Sequence, residues 1–144
     1  MATGPGFGTN VGWDFSYPND LDMSSYQFHF VTLGTDTYLD VCTAGVLALG
    51  IIQDNPNGST NTGVMSQVRT GGVSKIATGG SFDPGQFLSS DGSGRAVLYT
   101  AATVYTGTPY TVSGSQVLGI ANEPSSSSSG YISSMLFRPS GLSA

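Results

Sequence analysis

The chain has 144 residues, which is enough for one domain with its own hydrophobic core. Its 21 glycines and charged fraction of 9%, with Thr, Ser, Val and Tyr in place of the usual helix formers, disfavour helices and favour strands. The net charge is −5, and only four Lys and Arg residues are scattered along the chain. A basic surface for nucleic acid is therefore not expected. The apolar runs are too short to span a membrane.

Residues 1–25 show no strand periodicity and contain four glycines, two prolines and four aromatic side chains. This composition predicts an extended N-terminal arm ahead of a β-rich domain at residues 26–144. Aromatic side chains often anchor protein interfaces, so Phe7, Trp13, Phe15 and Tyr17 are candidate anchors on a partner, with packing in the core as the alternative. The chain also starts without the basic and apolar segments of a secretory signal, which favours synthesis in a cytoplasm.

The β-rich domain begins where apolar and polar residues start to alternate, with Tyr26, Phe28 and Phe30 on one side of a predicted strand. Further short runs, each bounded by Gly, Pro, Asn or Asp, are found at residues 37–42, 46–52, 64–70, 86–89, 95–100, 116–121 and 131–137. This spacing predicts an all-β fold, a small sandwich or barrel of short antiparallel strands. At most one short helical turn is expected.

Two segments of this domain have similar sequences, and this internal similarity is called the echo here. Leu49-Gly50-Ile51-Ile52 and Leu118-Gly119-Ile120-Ala121 both run into an acidic residue and a proline turn. Each is followed by a small polar loop and then by Gly63-Val64-Met65-Ser66 or Gly130-Tyr131-Ile132-Ser133. We interpret the echo as two related strand–loop–strand hairpins within one domain.

Few residues could support catalysis. His29 is the single histidine and lies between two phenylalanines, so we expect it to be structural and not the base of a serine hydrolase. Cys42 is the single cysteine and has apolar neighbours, so a buried, unreactive thiol is expected. Glu123 lies in a proline turn and is not assigned as an acid or base. We therefore expect no enzyme activity.

Metal and cofactor motifs are also lacking in the sequence. One histidine and one cysteine cannot complete a zinc site. The stretch Asp54-Asn55-Pro56-Asn57-Gly58 resembles the start of a calcium loop but lacks the closing Glu, which favours a plain turn. The glycines near the N-terminus are not followed by a Gly-Lys-Ser/Thr phosphate motif. No cofactor and no metal are expected.

The echo and the segment between its two copies together resemble a known family. Leu49-Gly50-Ile51 and Leu118-Gly119-Ile120, the central segment 72–76, and the runs at 84–88 and 90–97 are similar to the head decoration, or capsid cement, proteins of tailed bacteriophages. The resemblance covers about two-thirds of the chain and does not include the aromatic arm.

This resemblance implies a virion structural protein that is made in the host bacterial cytoplasm and placed on the outer surface of the capsid. It implies the major capsid protein as the partner, a homotrimer as the assembled form, and neither a cofactor nor a reaction. The arm aromatics Phe7, Trp13, Phe15 and Tyr17 are then candidate capsid-binding residues. The alternative from a different class is a carbohydrate-binding β-sandwich module, with Trp13, Tyr105 and Tyr110 as stacking platforms.

Overall fold

Ten short strands make up the fold in the computed structural model of this chain, which describes residues 13–54, 64–100, 116–126 and 132–137. The strands are β1 (Asp14–Pro18), β2 (Phe30–Leu33), β3 (Leu39–Val41), β4 (Gly50–Ile52), β5 (Met65–Arg69), β6 (Gly72–Ala77), β7 (Phe87–Ser90), β8 (Ala96–Leu98), β9 (Gly119–Ala121) and β10 (Ile132–Phe137). The described residues form no helix. The predicted all-β class is confirmed, and the architecture is a sandwich of two antiparallel sheets.

The two sheets have the same topology. The first sheet has the order β1-β5-β4-β2-β3, and the second sheet has the order β6-β10-β9-β7-β8. Each of the strands β1–β5 in the first sheet therefore has a counterpart at the same position in the second sheet, which contains β6–β10. Residues 1–71 and 72–144 are called the first and second halves of the chain. The two segments of the sequence echo are β4–β5 and β9–β10, but the equivalence in the structure extends to all five strands.

The register of pairing is also the same in both sheets. Equivalent cross-strand pairs are Val31–Val41 and Leu88–Leu98, Phe30–Ile51 and Phe87–Ile120, and Ile52–Val68 and Ala121–Met135. Backbone hydrogen bonds outside the ladders repeat as well. The Phe28 N–H donates to the Ile52 carbonyl as the Gly85 N–H donates to the Ala121 carbonyl, both at 2.8 Å.

The turns before and within each β-hairpin are equivalent too. Phe28 has a φ of 64° and its counterpart Gly85 a φ of 85°, whereas Thr37 has a φ of 71° and its counterpart Gly94 a φ of 75°. A side chain at such a φ is strained, and glycine is not. The strand predicted from residue 26 is therefore wrong at residues 26–29, where the chain turns and strand β2 begins only at Phe30.

The main core lies between the two sheets. The first sheet and its loops contribute Phe30, Cys42, Ala48 and Ile51, and the second half contributes Ile76, Phe82, Leu88, Ala96, Leu118, Ala121, Met135 and Phe137. The rings of Phe30 and Phe137 lie 6.0 Å apart across this interface. The predicted burial of Cys42 is confirmed, and burial raises the pKa of its thiol.

A second apolar cluster covers the other face of the first sheet. It contains Met23, Val31, Leu39, Ile52 and Val68, all fully buried or nearly so. Met23 comes from the segment between β1 and β2, which packs over this face and thus acts as a cover for the first sheet. The molecule therefore has three layers, namely the cover segment, the first sheet and the second sheet.

Candidate docking surface on the first strand

Strand β1 and the residue before it, Trp13, present aromatic residues that the sequence singles out. Trp13, Phe15 and Tyr17 alternate along the chain, so they lie on one face of the first sheet, the face that carries Val68. Trp13 is 75% exposed and Phe15 is 50% exposed. Tyr17 is half-buried and packs against the cluster around Met23. Phe7 lies outside the described residues.

Hydrogen bonds fix β1 at the edge of the sheet. Its five residues pair with β5 in antiparallel register, and the Trp13 carbonyl accepts bonds from the Thr70 N–H at 2.8 Å and the Thr70 hydroxyl at 3.1 Å. On the opposite face, Arg69 donates through Nε and Nη2 to the two oxygens of Asp14, at 2.8 and 3.0 Å. The bonded guanidinium holds the pKa of Asp14 below its ordinary value.

The exposed rings of Trp13 and Phe15, called the ring pair here, are therefore attached to ordered, hydrogen-bonded backbone. Trp13 and Phe15 are placed two residues apart on an extended backbone, and no ordering of that strand is needed before they contact a partner. A preordered aromatic pair loses little conformational entropy when it binds, which favours its use as an anchor.

The expected arm is described only from Trp13 onwards, and this part forms β1 and the cover segment. Aromatic alternation at Trp13, Phe15 and Tyr17 is the signal in the sequence that points to a strand here. Glycines at 4, 6, 8 and 12 and the proline at 18 obscure it when the segment is considered as a whole. The boundary at residue 25 and the structure of residues 1–12 stay predictions.

A second surface feature is an open groove of about 580 Å³ that Phe28, Gln53, Lys75 and Glu123 help to line. The Lys75 ammonium group lies 5.6 Å from the centre of the Phe28 ring. The groove also contains Ser74 and Ser133, whose hydroxyls donate to backbone carbonyls at 2.9 and 3.1 Å. Neither serine is bonded to a base, so these contacts do not activate a nucleophile.

His29 lies next to this region in the chain but is not among the residues that line the groove. Its ring packs edge-on against Tyr26 at 5.4 Å, and its Nδ1 lies 3.1 Å from the Gln27 carbonyl. Within the described ranges, no group of three or more His, Cys, Asp or Glu residues could hold a metal ion. The same part of the chain has no helix long and apolar enough to cross a membrane.

Comparison with known proteins gives a result at the level of the fold. No protein-family model and no curated protein sequence matches the chain. Among solved structures, the fold is similar to that of the "N base" of the head fiber gp8.5 of bacteriophage phi29, with a TM-score of 0.55 and 16% sequence identity. The match covers 88% of this chain and 94% of that one, so it includes both sheets and not a single shared motif.

Proposed function

We propose that this protein is a bacteriophage head structural subunit, which binds the outer surface of the major capsid protein lattice as a decoration or cement subunit and stabilises the head. The observation that carries this proposal is the shared fold with the base of a phage head fiber over nearly the full length of both chains. The composition supports it, because one Lys and one Glu in the chain leave few long side chains to lose rotamer entropy in an interface.

In this proposal the subunit is made in the host bacterial cytoplasm and acts on the virion as a homotrimer. Trp13 and Phe15 are the contacts with the capsid, because they combine large aromatic area, high exposure and an ordered strand. Tyr17 supports them from the cluster around Met23. Phe7, which lies outside the described residues, stays a candidate contact from its sequence alone. No catalysis and no cofactor are required for this role.

Sedimentation with phage heads tests the proposal. The heads are expanded, lack the subunit, and come from the phage that encodes this protein. We expect co-sedimentation that saturates at a ratio set by the capsid lattice, together with a higher melting temperature of the heads. Multiple contacts on one lattice would add to the affinity of each subunit. No co-sedimentation at any protein concentration would contradict the proposed function.

A pair of variants tests the contact residues. Each aromatic anchor typically contributes more than 1 kcal/mol, so W13A/F15A is expected to weaken binding to heads by more than about tenfold. The control is Leu47→Ala, because Leu47 is also exposed and lies in the loop before β4. Point variants are preferable to deletion of residues 2–20, which would remove all of β1 and uncover the edge of β5. Wild-type binding by W13A/F15A would exclude these anchors.

The exposure of Trp13 also favours a second candidate function, carbohydrate binding. An indole ring that is 75% exposed offers a flat apolar platform against which the face of a sugar can stack. Tyr105 and Tyr110, the other candidate platforms, lie outside the described residues. A glycan array is the appropriate test, with W13A as the negative control. An array with no bound glycan would leave the capsid role as the proposal.

A further inference from the structure

We propose that copies of this chain contact one another through the outer face of the second sheet. This face is formed by Val73, Phe87, Ile120 and Leu136, together with Ile132 at its margin, and is called the open face here. The cross-strand pairs Phe87–Ile120, Ile120–Leu136 and Leu136–Val73 place these side chains on one side of four adjacent strands. Met135 and Phe137, which alternate with Leu136, point instead into the core and are buried.

The two central residues of the open face have counterparts in the first sheet that are fully buried. Phe30 and Ile51 are the equivalents of Phe87 and Ile120 by strand order and register, and the residue types are identical. Phe30 is 0% exposed because the second sheet packs over it, whereas Phe87 is 53% exposed. Phe87 and Ile120 in the second sheet are therefore as apolar as the interface residues Phe30 and Ile51, but they face solvent.

The exposed area is contiguous. Val73, Phe87 and Ile132 are all at least two-fifths exposed, and Ile120 and Leu136 are half-buried between them. Single exposed apolar side chains are ordinary on protein surfaces, but a patch that spans several strands of one sheet indicates a protein interface. Lys75 is the charged residue on the same face, and its ammonium group lies over the Phe28 ring.

The distribution of charge indicates a second copy as the occupant. Residues 1–71 carry six carboxylates and one Arg, whereas residues 72–144 carry three carboxylates and three basic residues. The whole net charge of −5 therefore lies in the half that forms the first sheet. Copies that meet through their neutral halves place their acidic halves at the outside, where mutual repulsion is weakest. On the open face, a charged partner would find a single complementary group, the Lys75 ammonium group that lies over the Phe28 ring.

This arrangement is compatible with the proposed capsid contact. Trp13 and Phe15 lie on the outer face of the first sheet, and the open face lies on the outer face of the second, with the core between them. An assembly joined at its open faces would carry several ring pairs and bind a lattice with higher avidity. This consequence rests on the proposed function, but self-association itself can be measured without heads.

Analytical ultracentrifugation of the purified full chain tests the inference. We expect the wild type to sediment as the homotrimer of the proposed function, at three times the 14.8 kDa chain mass. F87D and V73D each bury a charge in the contact and are expected to sediment as one chain, with unchanged far-UV circular dichroism. Leu47→Asp is the matched control, because Leu47 is exposed to a similar extent but lies in the loop before β4, outside both proposed contacts. It should keep the wild-type mass.

Salt distinguishes the nature of the contact. An apolar contact between neutral halves should persist in concentrated salt, which also screens the repulsion between the acidic halves. A monomeric wild type, F87D and V73D variants that both keep the oligomeric mass, or dissociation of the wild type in salt would overturn the inference. Loss of head binding by W13A/F15A with an unchanged oligomer would concern the capsid contact alone.

Discussion

The first and second sheets have the same strand order and register but different surfaces. The central strands of the first sheet are covered on both faces, by the second sheet and by the cover segment that contains Met23, and Trp13 and Phe15 are exposed at its β1 edge. The second sheet is covered on one face only, and Phe87 lies on the other. The comparison shows that topology is set by features shared between the halves, such as hairpin length and turn conformation. The burial and the charge of equivalent residues differ between the two sheets, although the topology is the same.

The electrostatics of the two halves illustrate this divergence. Asp14 and Arg69 form an ion pair across β1 and β5, whereas the equivalent pair across β6 and β10 is Val73 and Leu136. Asp40 in β3 is replaced by Val97 in β8. Desolvation and the nearby carboxylates of Asp20 and Asp36 raise the pKa of Asp40. The same strand order and register therefore carry an acidic edge in the first sheet and an apolar face in the second sheet.

The largest expected difference between the halves concerns the two equivalent phenylalanines. Phe30→Ala removes a ring that is fully buried between the sheets and should lower the free energy of unfolding by about 3–5 kcal/mol. Phe87→Ala removes an exposed ring, and the loss should stay below about 1 kcal/mol. Urea denaturation of dilute protein measures both values. Equal losses would show that the open face is packed as tightly as the main core.

A smaller effect, alike in the two halves, is expected at Gly50 and Gly119. A Cβ atom at Gly50 would meet the Arg69 carbonyl oxygen, and one at Gly119 would meet the Leu136 carbonyl oxygen, which is the equivalent contact. Because backbone cannot yield as a side-chain end can, Gly50→Ala and Gly119→Ala should each destabilise by about 2–3 kcal/mol. Thermal unfolding gives the comparison.

Gly71→Ala is the control for this pair, since a Cβ atom there has no heavy atom within 4 Å. It should change the stability by less than about 0.5 kcal/mol. If Gly50→Ala were harmful and Gly119→Ala neutral, the close approach of strands would be required in the first sheet only. The structural equivalence of the two halves would then not extend to their packing.

Sequence reasoning predicted the parts of this fold that alternation and turn chemistry specify. The all-β class and the β4–β5 and β9–β10 pairs follow from short apolar runs bounded by glycine and proline, of which Leu49-Gly50-Ile51 and Leu118-Gly119-Ile120 are the clearest. The five-strand repeat was not predicted. Side chains differ at most of its equivalent positions, and what is shared is backbone register, which no local pattern records.

Two strands were missed for physical reasons. In β6, Gly72–Ala77, the burial pattern does alternate, but serine and lysine interrupt the apolar residues that would mark a strand. In β1, glycines and prolines around the strand favoured an irregular segment. Residue type left open whether Trp13 and Phe15 dock on a partner or pack in the core, and the open face depends on which sheet face is left uncovered. Such information exists only in three dimensions.

The smallest expected difference between the halves is a dependence of stability on pH that comes from Asp14. Its pKa is lowered mainly by the hydrogen bond from Arg69, so the pair stabilises the fold above the ordinary carboxyl pKa of about 4. This contribution is lost as the pH falls through the lower folded pKa. Both side chains are about one-third exposed, which limits the effect to less than about 1 kcal/mol.

D14N is therefore expected to be less stable than the wild type at pH 7 and equally stable once the pH lies below the pKa of Asp14 in the folded protein, as measured by urea denaturation across this range. The double variant D14V/R69L gives the first sheet the residues of the second sheet at these positions. It should lose the pH dependence with little change in stability at pH 7, because an apolar pair can replace an ion pair at similar free energy. A destabilisation by D14V/R69L as large as that of Phe30→Ala would instead mean that the Arg69 bond to the Val73 carbonyl holds the two sheets together, and that the ion pair is a structural link between the halves.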